Sequence, residues 1–297
     1  MNLRELQYLV ALDEERHFRK AAERCFVSQP TLSGQLKKLE DELGVLLVER
    51  TKRQVLMTEV GTVIAERARR ILTDVKSLHE IAQSYQDPMA GEVHVGLIPT
   101  VAPYLLPHIM PKIRKQFPQL KLWLYEYQTD ILLEKLRRGE VDVLILALLD
   151  ETNDFTELDL YDEAFQLAVP RGNKLAQQKS IGLDDLNNSE MLLLEEGHCL
   201  RGQALDVCYL AGAKENTGFH ASSLEILRHM VSEDMGMTLI PELAVPAKNK
   251  LSDLVQYIVF DEPQPSRRIG MVYRKGSYRE TAFKQLQQLI RQIVDIS

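Results

Sequence analysis

The chain has few cysteines and lacks the short motifs that mark nucleotide and structural zinc sites. Three cysteines in 297 residues are too few for a disulfide scaffold, which favours a reducing, cytoplasmic setting. No glycine-rich phosphate loop, Walker motif or zinc-type cysteine pair occurs, so we expect neither a cofactor nor a bound metal. No run approaches the ~20 apolar residues of a membrane span, and the acidic, polar start of the chain argues against a signal peptide. We therefore expect a cytoplasmic protein that does not associate with membranes.

The negative charge of the chain is unevenly distributed. A net charge of −7 at pH 7 disfavours a nucleic-acid binder when the chain is taken as a whole. Between Arg16 and Arg53, however, nine basic residues stand against five acidic ones. A chain of 297 residues is long enough for two or more compact units. The N-terminal part can therefore bind a polyanion even though the remainder is acidic.

Apolar spacing in the first sixty residues predicts two amphipathic helices, a short turn and a third helix. The third helix starts at Ser28, a good N-cap, and Pro30 suits its first turn because the amides there lack helical partners. Leucines at helical spacing predict its buried face, namely Leu32, Leu36, Leu39 and Leu43. The opposite face is polar and cationic, as in a helix that enters the DNA major groove by its N-terminal end.

Two short strands, 46–50 and 55–58, are predicted after this helix and are joined by a basic loop. This is the arrangement of a winged helix-turn-helix, in which cations of the wing neutralise phosphates. The alternative is a small helical domain whose charges are merely solvated. Because the cap, the wing and the local basic excess agree, DNA binding is the better interpretation. The residues expected to contact DNA are Ser28, Gln29, Pro30, Thr31, Ser33, Lys37, Arg50 and Arg53.

A sustained heptad repeat follows the wing. Apolar residues alternate at spacings of four and three, at Ile64, Ala68, Ile71, Val75, Leu78, Ala82 and Tyr85. A single helix of this length can bury such a stripe only against a partner, so dimerisation is predicted. The alternative is a core helix of the same chain. The segment from Asp87 to Gly91 ends the helix and forms a hinge.

Strands and helices alternate over the last two-thirds of the chain. Strands are predicted at 93–98, 120–125, 141–147, 165–169, 191–194, 237–240 and 269–273. Helical stretches lie near 104–116 and 130–138. Such alternation predicts α/β layers with a largely parallel sheet, whose ligands lie beyond the carboxyl ends of strands. Thr100 and the segment 197–199 are both at such ends.

Cys199 and Cys208 lie nine residues apart in a proline-free segment that reads as the start of a helix. At ~100° and ~1.5 Å per residue, their sulfurs face opposite sides and are ~13 Å apart. A disulfide needs Cα atoms within about 7 Å, so the pair can bond only if the helix unwinds. Inert packing is the commoner role of such a pair. A helix N-terminus and the nearby His198 and Arg201, one potentially and one permanently cationic, instead favour a reactive thiolate at Cys199.

The N-terminal stretch, above all Val27 to Ser33, resembles the DNA-binding domain of LysR-type transcriptional regulators, and the similarity extends to the C-terminus. The resemblance implies a two-lobed, periplasmic-binding-protein-like α/β effector domain. An all-α winged helix-turn-helix domain and a long coiled-coil linker helix precede it. The implied domains are 1–58 for DNA binding, 59–87 for the linker and dimerisation, and 88–297 for redox sensing, with lobe I at about 92–162 and 268–297 and lobe II at about 163–267.

Three segments, 96–100, 197–208 and 219–225, are similar to those of the peroxide-sensing members of that family. The resemblance implies a sulfenic acid at one cysteine that the other resolves to a disulfide. The implied site comprises the sensing Cys199, the resolving Cys208, His198, Arg201, Thr100, Thr129 and Arg267. The two threonines place the peroxide and the cations stabilise the charged sulfur, with Arg268 an alternative to Arg267. Gly202 departs from members that carry a side chain there, which bears on sensitivity to peroxide.

The resulting prediction is a bacterial, cytoplasmic transcription activator of oxidative-stress genes and not an enzyme. The implied partners are double-stranded promoter DNA, further copies of the chain in a homotetramer built as a dimer of dimers, RNA polymerase and cellular thiol reductants. One alternative keeps the LysR-type architecture but places a small organic effector between the lobes, with incidental cysteines. Another is a thiol peroxidase that uses Cys199 with Thr100 and Arg201, against which the DNA-binding domain argues.

Overall fold

The structure, a computed structural model, describes residues 1–50, 55–84, 87–246 and 254–294. The chain divides into two compact units, Met1–Gln86 and Asp87–Ser297. Helices of the described ranges are α1 (Leu3–Glu15), α2 (Phe18–Arg24), α3 (Gln29–Leu43), α4 (Glu59–Ser84), α5 (Ala102–Gln116), α6 (Thr129–Arg138), α7 (Cys199–Ala211), α8 (Leu224–Ser232) and α9 (Glu280–Val294). The strands are β1 (Val48–Arg50), β2 (Val55–Met57), β3 (Gly91–Leu97), β4 (Leu120–Glu126), β5 (Val143–Ala147), β6 (Thr156–Pro170), β7 (Ser180–Ile181), β8 (Glu190–Leu194), β9 (Lys214–Ala221), β10 (Thr238–Pro241), β11 (Val255–Phe260) and β12 (Ser266–Tyr273).

The N-terminal unit contains the predicted three helices and the two-stranded wing, in which β1 and β2 pair antiparallel. α3 begins beside Ser28, whose hydroxyl accepts the N–H of Thr31 at 3.3 Å, as expected of an N-cap. The first three leucines of the predicted face are buried. The prediction for the fourth is wrong, because Leu43 is 37% exposed where α3 ends at the left-handed Gly44.

The first half of α4 packs on α1 of its own chain. Ala68 is buried, and the guanidinium of Arg69 donates to Asp13 at 2.9 Å and to Glu14 at 3.3 Å. Both acids lie at the C-terminal end of α1. This part of the helix is therefore a core helix of the same chain, as in the alternative to dimerisation that the sequence left open.

The predicted apolar stripe continues beyond this contact without cover from the described residues. Ile71 and Val75 are each 37% exposed and Leu78 is 63% exposed. The side chain of Ala82 and the whole of Tyr85 lie outside the described part of the chain. Dimerisation through this stripe stays a prediction.

The long strand β6 links the two halves of the C-terminal unit. Its first half pairs with β12 and its second half with β10 and β11, antiparallel in each case. The order of the sheet is β4-β3-β5-β12-β6-β11-β7, with β10 attached to β6. β3 is parallel to β4 and β5, but β12 is antiparallel to β5. The predicted largely parallel sheet is therefore wrong, because the strands that cross between the halves return antiparallel.

Two hydrophobic cores lie on either side of this crossing. Side chains from 89–160 and 269–293 form the first core, and side chains from 165–260 form the second. The division falls within β6 and again between β11 and β12, so the chain crosses twice and makes two lobes. The second lobe also holds a separate parallel pair, β8 and β9, which α7 connects. Sequence patterns missed β9, β11 and the first half of β6.

Candidate redox site and DNA-binding surface

Cys199 is the first residue of α7, and His198 is the N-cap residue of that helix. The cysteine side chain is half-buried and packs against the core of the first lobe, although α7 itself lies on the core of the second. A first-turn position faces amides without helical partners and the positive end of the helix dipole. The fold therefore places a potential nucleophile at the boundary of the two lobes.

Cys208 lies on the same helix in the core of the second lobe, where it is 3% exposed. Burial raises the pKa of its thiol to about 11, and the carboxylate of Glu215 adds to the rise. The thiol is therefore protonated at neutral pH. The predicted helix between the cysteines is present, and because α7 runs unbroken through both, they cannot bond unless it unwinds.

Arg201 lies on the side of α7 that carries Cys208. At ~100° per residue, it is ~200° around the helix from Cys199 but only ~20° from Cys208. Its guanidinium forms a double ion pair with Glu215 of β9, Nη1 to Oε1 at 2.6 Å and Nη2 to Oε2 at 3.1 Å. Nη1 also donates to the carbonyl of Leu194 at 3.2 Å. In this conformation the structure does not bring Arg201 to Cys199.

His198 is buried, and its Nε2 lies 4.0 Å from Oε1 of Glu195. Burial lowers the pKa of the imidazole, and the Glu195 carboxylate opposes that shift only in part. The imidazole is therefore neutral at pH 7. That His198 stabilises a charged sulfur at Cys199 stays a prediction, and the lowered pKa of the imidazole argues against a positive charge there.

Thr100 is held by a buried arginine. The Nη1 of Arg267 donates to the Thr100 hydroxyl at 2.9 Å, and its Nη2 donates to the Thr100 carbonyl at 3.0 Å. The Nε of the same arginine donates to Glu163 at 2.8 Å. Arg267 is 3% exposed, whereas the side chain of Arg268 is 59% exposed and faces Asp159. Of the two candidate arginines, the structure brings Arg267 to the threonine.

Thr129 follows β4 as Thr100 follows β3, each by three residues. Because β3 and β4 are neighbouring parallel strands, both threonines lie beyond the same edge of the sheet. The hydroxyl of Thr129 is buried and has no hydrogen-bond partner among the described residues. A buried hydroxyl without a partner can donate to or accept from a small polar ligand.

The loop before Cys199 is pressed against α6. Gly197 has φ +92°, and a Cβ there would lie 2.5 Å from Oε1 of Gln128. The Gln128 amide donates to the carbonyl of Glu196 at 3.4 Å. Sequence patterns missed Gln128, since its contact partner lies 68 positions further along the chain. The structure thus ties the N-terminus of α6 to the residues that precede Cys199.

A cleft of about 400 Å³ opens between the lobes beside this loop. Its walls include Tyr104, Glu126, Glu195, His198 and Glu225. Such a cleft has the size of a small-molecule site. The organic-effector alternative thus has a place in the fold.

The predicted recognition face of α3 is accessible. Ser28, Gln29, Pro30, Thr31 and Lys37 are exposed, and Ser33 is half-buried. Arg50 is the last residue of β1, and Arg53 lies outside the described residues. The first turn of a helix with short polar side chains is the geometry of major-groove reading.

Glu40 fixes the wing to the recognition helix and was missed by the sequence patterns. Its Oε1 accepts the N–H of Leu47 at 2.9 Å and of Val48 at 3.1 Å, and the residue is 8% exposed. The sequence does contain a signal for this role. Glu40 is an acid that lies four residues after Leu36, which itself lies four after Leu32, so it falls on the buried face of the helix. Unpaired amides at the start of β1 are thereby satisfied.

Within the described residues, no three His, Cys, Asp or Glu side chains are grouped so that they could hold a metal ion. Among the helices of the same residues, none is long and apolar enough to cross a membrane.

Two family models match the chain. One described as "Bacterial regulatory helix-turn-helix protein, lysR family" matches residues 3–62, and one described as "LysR substrate binding domain" matches residues 86–295. Together they cover the recognition helix, the wing and both lobes.

Individual relatives are similar over most of their length. The Escherichia coli K12 "DNA-binding transcriptional dual regulator OxyR" is 50% identical over 295 residues, 99% of this chain and 96% of that protein. The Haemophilus influenzae "Hydrogen peroxide-inducible genes activator" is 51% identical over 277 residues, 93% of this chain and 92% of that one. A full-length OxyR structure from Pseudomonas aeruginosa has a TM-score of 0.79 at 39% identity and covers 99% of this chain and 95% of its own.

Proposed function

The chain belongs to the LysR family of bacterial helix-turn-helix regulators, and from this premise we propose that it senses hydrogen peroxide through a reversible Cys199–Cys208 disulfide and controls oxidative-stress genes. Members of this family are regulators rather than enzymes. The observation that carries the proposal is the helix α7, which presents Cys199 at its N-terminus and buries Cys208 two and a half turns later. The relatives named for OxyR and for peroxide-inducible genes support it.

The first step is oxidation of Cys199. Its thiolate sulfur attacks one oxygen of the peroxide, the O–O bond breaks, and a sulfenic acid and hydroxide result, the hydroxide taking a proton to become water. Thr100, held by Arg267, and Thr129, whose hydroxyl has no partner among the described residues, are the groups proposed to place the peroxide. The helix N-terminus is the proposed source of thiolate stabilisation.

The second step joins the two sulfurs. Cys208 loses its proton and attacks the sulfur of the sulfenic acid, the S–O bond breaks, and water leaves as the disulfide forms. Because one helix separates the sulfurs, α7 must unwind and at least one cysteine must leave its core. Such an exchange of one packed arrangement for another is a two-state switch.

We further propose how the switch reaches DNA. The chain works as a cytoplasmic dimer of dimers that pairs through α4, so that a change in the regulatory lobes alters the spacing of the recognition helices on promoter DNA. Ser28, Gln29, Pro30, Thr31 and Ser33 read bases, while Lys37, Arg50 and Arg53 contact phosphates. The oxidised chain on its promoter contacts RNA polymerase. Cellular thiol reductants later reduce the disulfide back to two free thiols.

One competing function has an observation in its favour. The cleft of about 400 Å³ suits a small organic effector, in which case the cysteines would be incidental. The two functions differ in what substoichiometric peroxide does to the thiols.

Mass spectrometry of the full chain after such peroxide additions tests the proposal. We expect a dimedone-reactive sulfenic acid at Cys199, followed by a Cys199–Cys208 disulfide and by a changed footprint on promoter DNA. Unmodified cysteines under these conditions would contradict the proposal and favour the organic-effector function.

A further inference from the structure

The Arg201–Glu215 pair ties the start of α7 to the strand that follows it. Both side chains are 18% exposed, and both oxygens of the carboxylate are used. The third contact of the guanidinium, to the carbonyl of Leu194, reaches the strand that precedes the helix. The turn of α7 next to Cys199 is thus fastened to both β8 and β9.

The same carboxylate acts on the resolving thiol. Arg201 and Cys208 share one face of α7, about two turns apart, and Glu215 lies on the strand that this face meets. After burial, Glu215 is the main cause of the raised pKa of Cys208. Among the described residues, His220 also lies beside the carboxylate, with Nδ1 3.9 Å from Oε1.

We propose that Glu215 is a positioning residue that limits the second chemical step, the attack of Cys208 on the sulfenic acid. The inference rests on the proposed function, since it assumes that Cys199 is oxidised first. In that step Cys208 must give up a proton, and α7 must release its first turns so that the sulfurs can meet. The Glu215 carboxylate opposes both events, because it repels a thiolate at Cys208 and holds Arg201 in place.

The first step should be insensitive to the same residue. Cys199 faces away from Arg201 on the helix and packs against the first core, whereas the Arg201–Glu215 pair lies on the β8–β9 sheet of the second lobe. A change at Glu215 should therefore alter the rate at which the sulfenic acid is resolved and leave the rate of its formation unchanged.

The decisive variant is Glu215→Gln, which keeps an oxygen that accepts from Arg201 but removes the charge. Quench-flow with mass spectrometry of the full chain should show disulfide formation about tenfold faster, equivalent to about 1.4 kcal/mol off the barrier, with unchanged sulfenic acid formation. Glu190→Gln is the matched control. It neutralises a carboxylate on the same two-stranded sheet, bonded to Asn216 at 3.3 Å and not to Arg201, and should resolve at the wild-type rate.

Two further variants test the cause. Glu215→Asp keeps the charge and should stay near the wild-type rate, whereas a rate as fast as that of Glu215→Gln would overturn the role of the charge. Arg201→Gln combined with Glu215→Gln should gain less than the product of the single effects, because the two residues act as a pair. Strict additivity would overturn the coupling.

The outcomes also distinguish this inference from the proposed function. If the wild-type chain forms no sulfenic acid at Cys199, the proposed function fails. If it forms one and Glu215→Gln resolves it at the wild-type rate, the role of Glu215 alone is overturned.

Discussion

Cys199 and Cys208 lie on one helix but pack against different hydrophobic cores. The side chain of Cys199 contacts the core of the first lobe, and Cys208 is part of the core of the second. A bond between them therefore has to withdraw one side chain from its core and break the backbone hydrogen bonds of α7. In the proposed switch, one covalent bond replaces these interactions, so that the segment exchanges one packed arrangement for another.

The two thiols should differ in reactivity, and their difference should depend on pH. In Cys208→Ser, peroxide should produce a sulfenic acid at Cys199 that stays unresolved and that dimedone traps. In Cys199→Ser, alkylation of Cys208 should be very slow at pH 7 and should rise as the pH approaches about 11, the value to which burial raises the pKa of this thiol. Equal reaction of the two variants with peroxide would contradict the assignment of roles.

The same raised pKa has a consequence for stability. The folded chain binds the Cys208 proton more tightly than the unfolded chain, whose thiol has a pKa of about 8.5. The free energy of unfolding should therefore fall as the pH rises above that value and should stop falling near the folded pKa. Cys208→Ser should remove this part of the pH dependence in denaturant titrations.

Gly202 should set how readily α7 unwinds. It lies within the helix, and a Cβ there would meet no atom within 4 Å. Gly202→Ala should therefore stabilise the helix by about 1 kcal/mol and slow disulfide formation about fivefold. Gly197→Ala is the contrasting variant, because its φ of +92° and the close Gln128 amide make any side chain strained. Amide hydrogen exchange across α7 should slow in the first variant, and unchanged exchange would contradict the argument.

Arg267 and Arg268 should have very different effects when replaced. Arg267→Met leaves the buried Glu163 without its cationic partner and frees the Thr100 hydroxyl, so we expect a loss of about 3 kcal/mol in the free energy of unfolding. Slower oxidation of Cys199 should accompany it. Arg268→Met removes an exposed charge and should change stability by less than about 0.5 kcal/mol. Denaturant titration and peroxide kinetics of the two variants would show equal effects if this placement were wrong.

The sequence predicted what local chemistry determines. Ser28 caps its helix because an N-cap needs only a side-chain oxygen near the first amides. The helical character of α7 follows from a segment without proline that carries apolar residues at helical spacing. The choice between Arg267 and Arg268 was left open, because it depends on which face of β12 meets Thr100, a contact across 167 positions.

Arg201 makes a contact in the site that pattern reasoning did not foresee. Closeness in sequence suggested that it serves Cys199, but helical rotation points it to the other side, where Glu215 of β9 binds it. That strand was not predicted, since its exposed, mixed residues from Lys214 to Ala221 lack a regular alternation. A partner on an unpredicted strand cannot be assigned from the sequence alone.

Glu40 should control the wing without reading bases. In Glu40→Ala the amides of Leu47 and Val48 lose their acceptor, so the wing should lose its fixed position beside α3. Binding to all duplexes should weaken, with a salt slope lower by about one per lost phosphate contact. Glu40→Gln keeps an acceptor oxygen and should stay close to wild type. By contrast, Gln29→Ala should relax the preference for one DNA sequence over another. A Glu40→Ala variant that changed this preference without weakening binding to all duplexes would contradict the proposed roles.

The exposed part of α4 should determine oligomeric state. Leu78 is 63% exposed in the single chain, so Leu78→Glu should cost the isolated fold little, whereas a carboxylate buried in a paired seam is expensive. We expect the dimer to weaken about 100-fold or more, equivalent to about 2.8 kcal/mol, and cooperative binding to two half-sites to be lost. Ile71→Glu, one heptad earlier, should act in the same direction. Arg70→Glu introduces the same side chain outside the seam of the same helix and serves as the control. Sedimentation velocity of the three variants decides the matter, because an unchanged oligomer in both seam variants would show that the stripe is not the dimer interface.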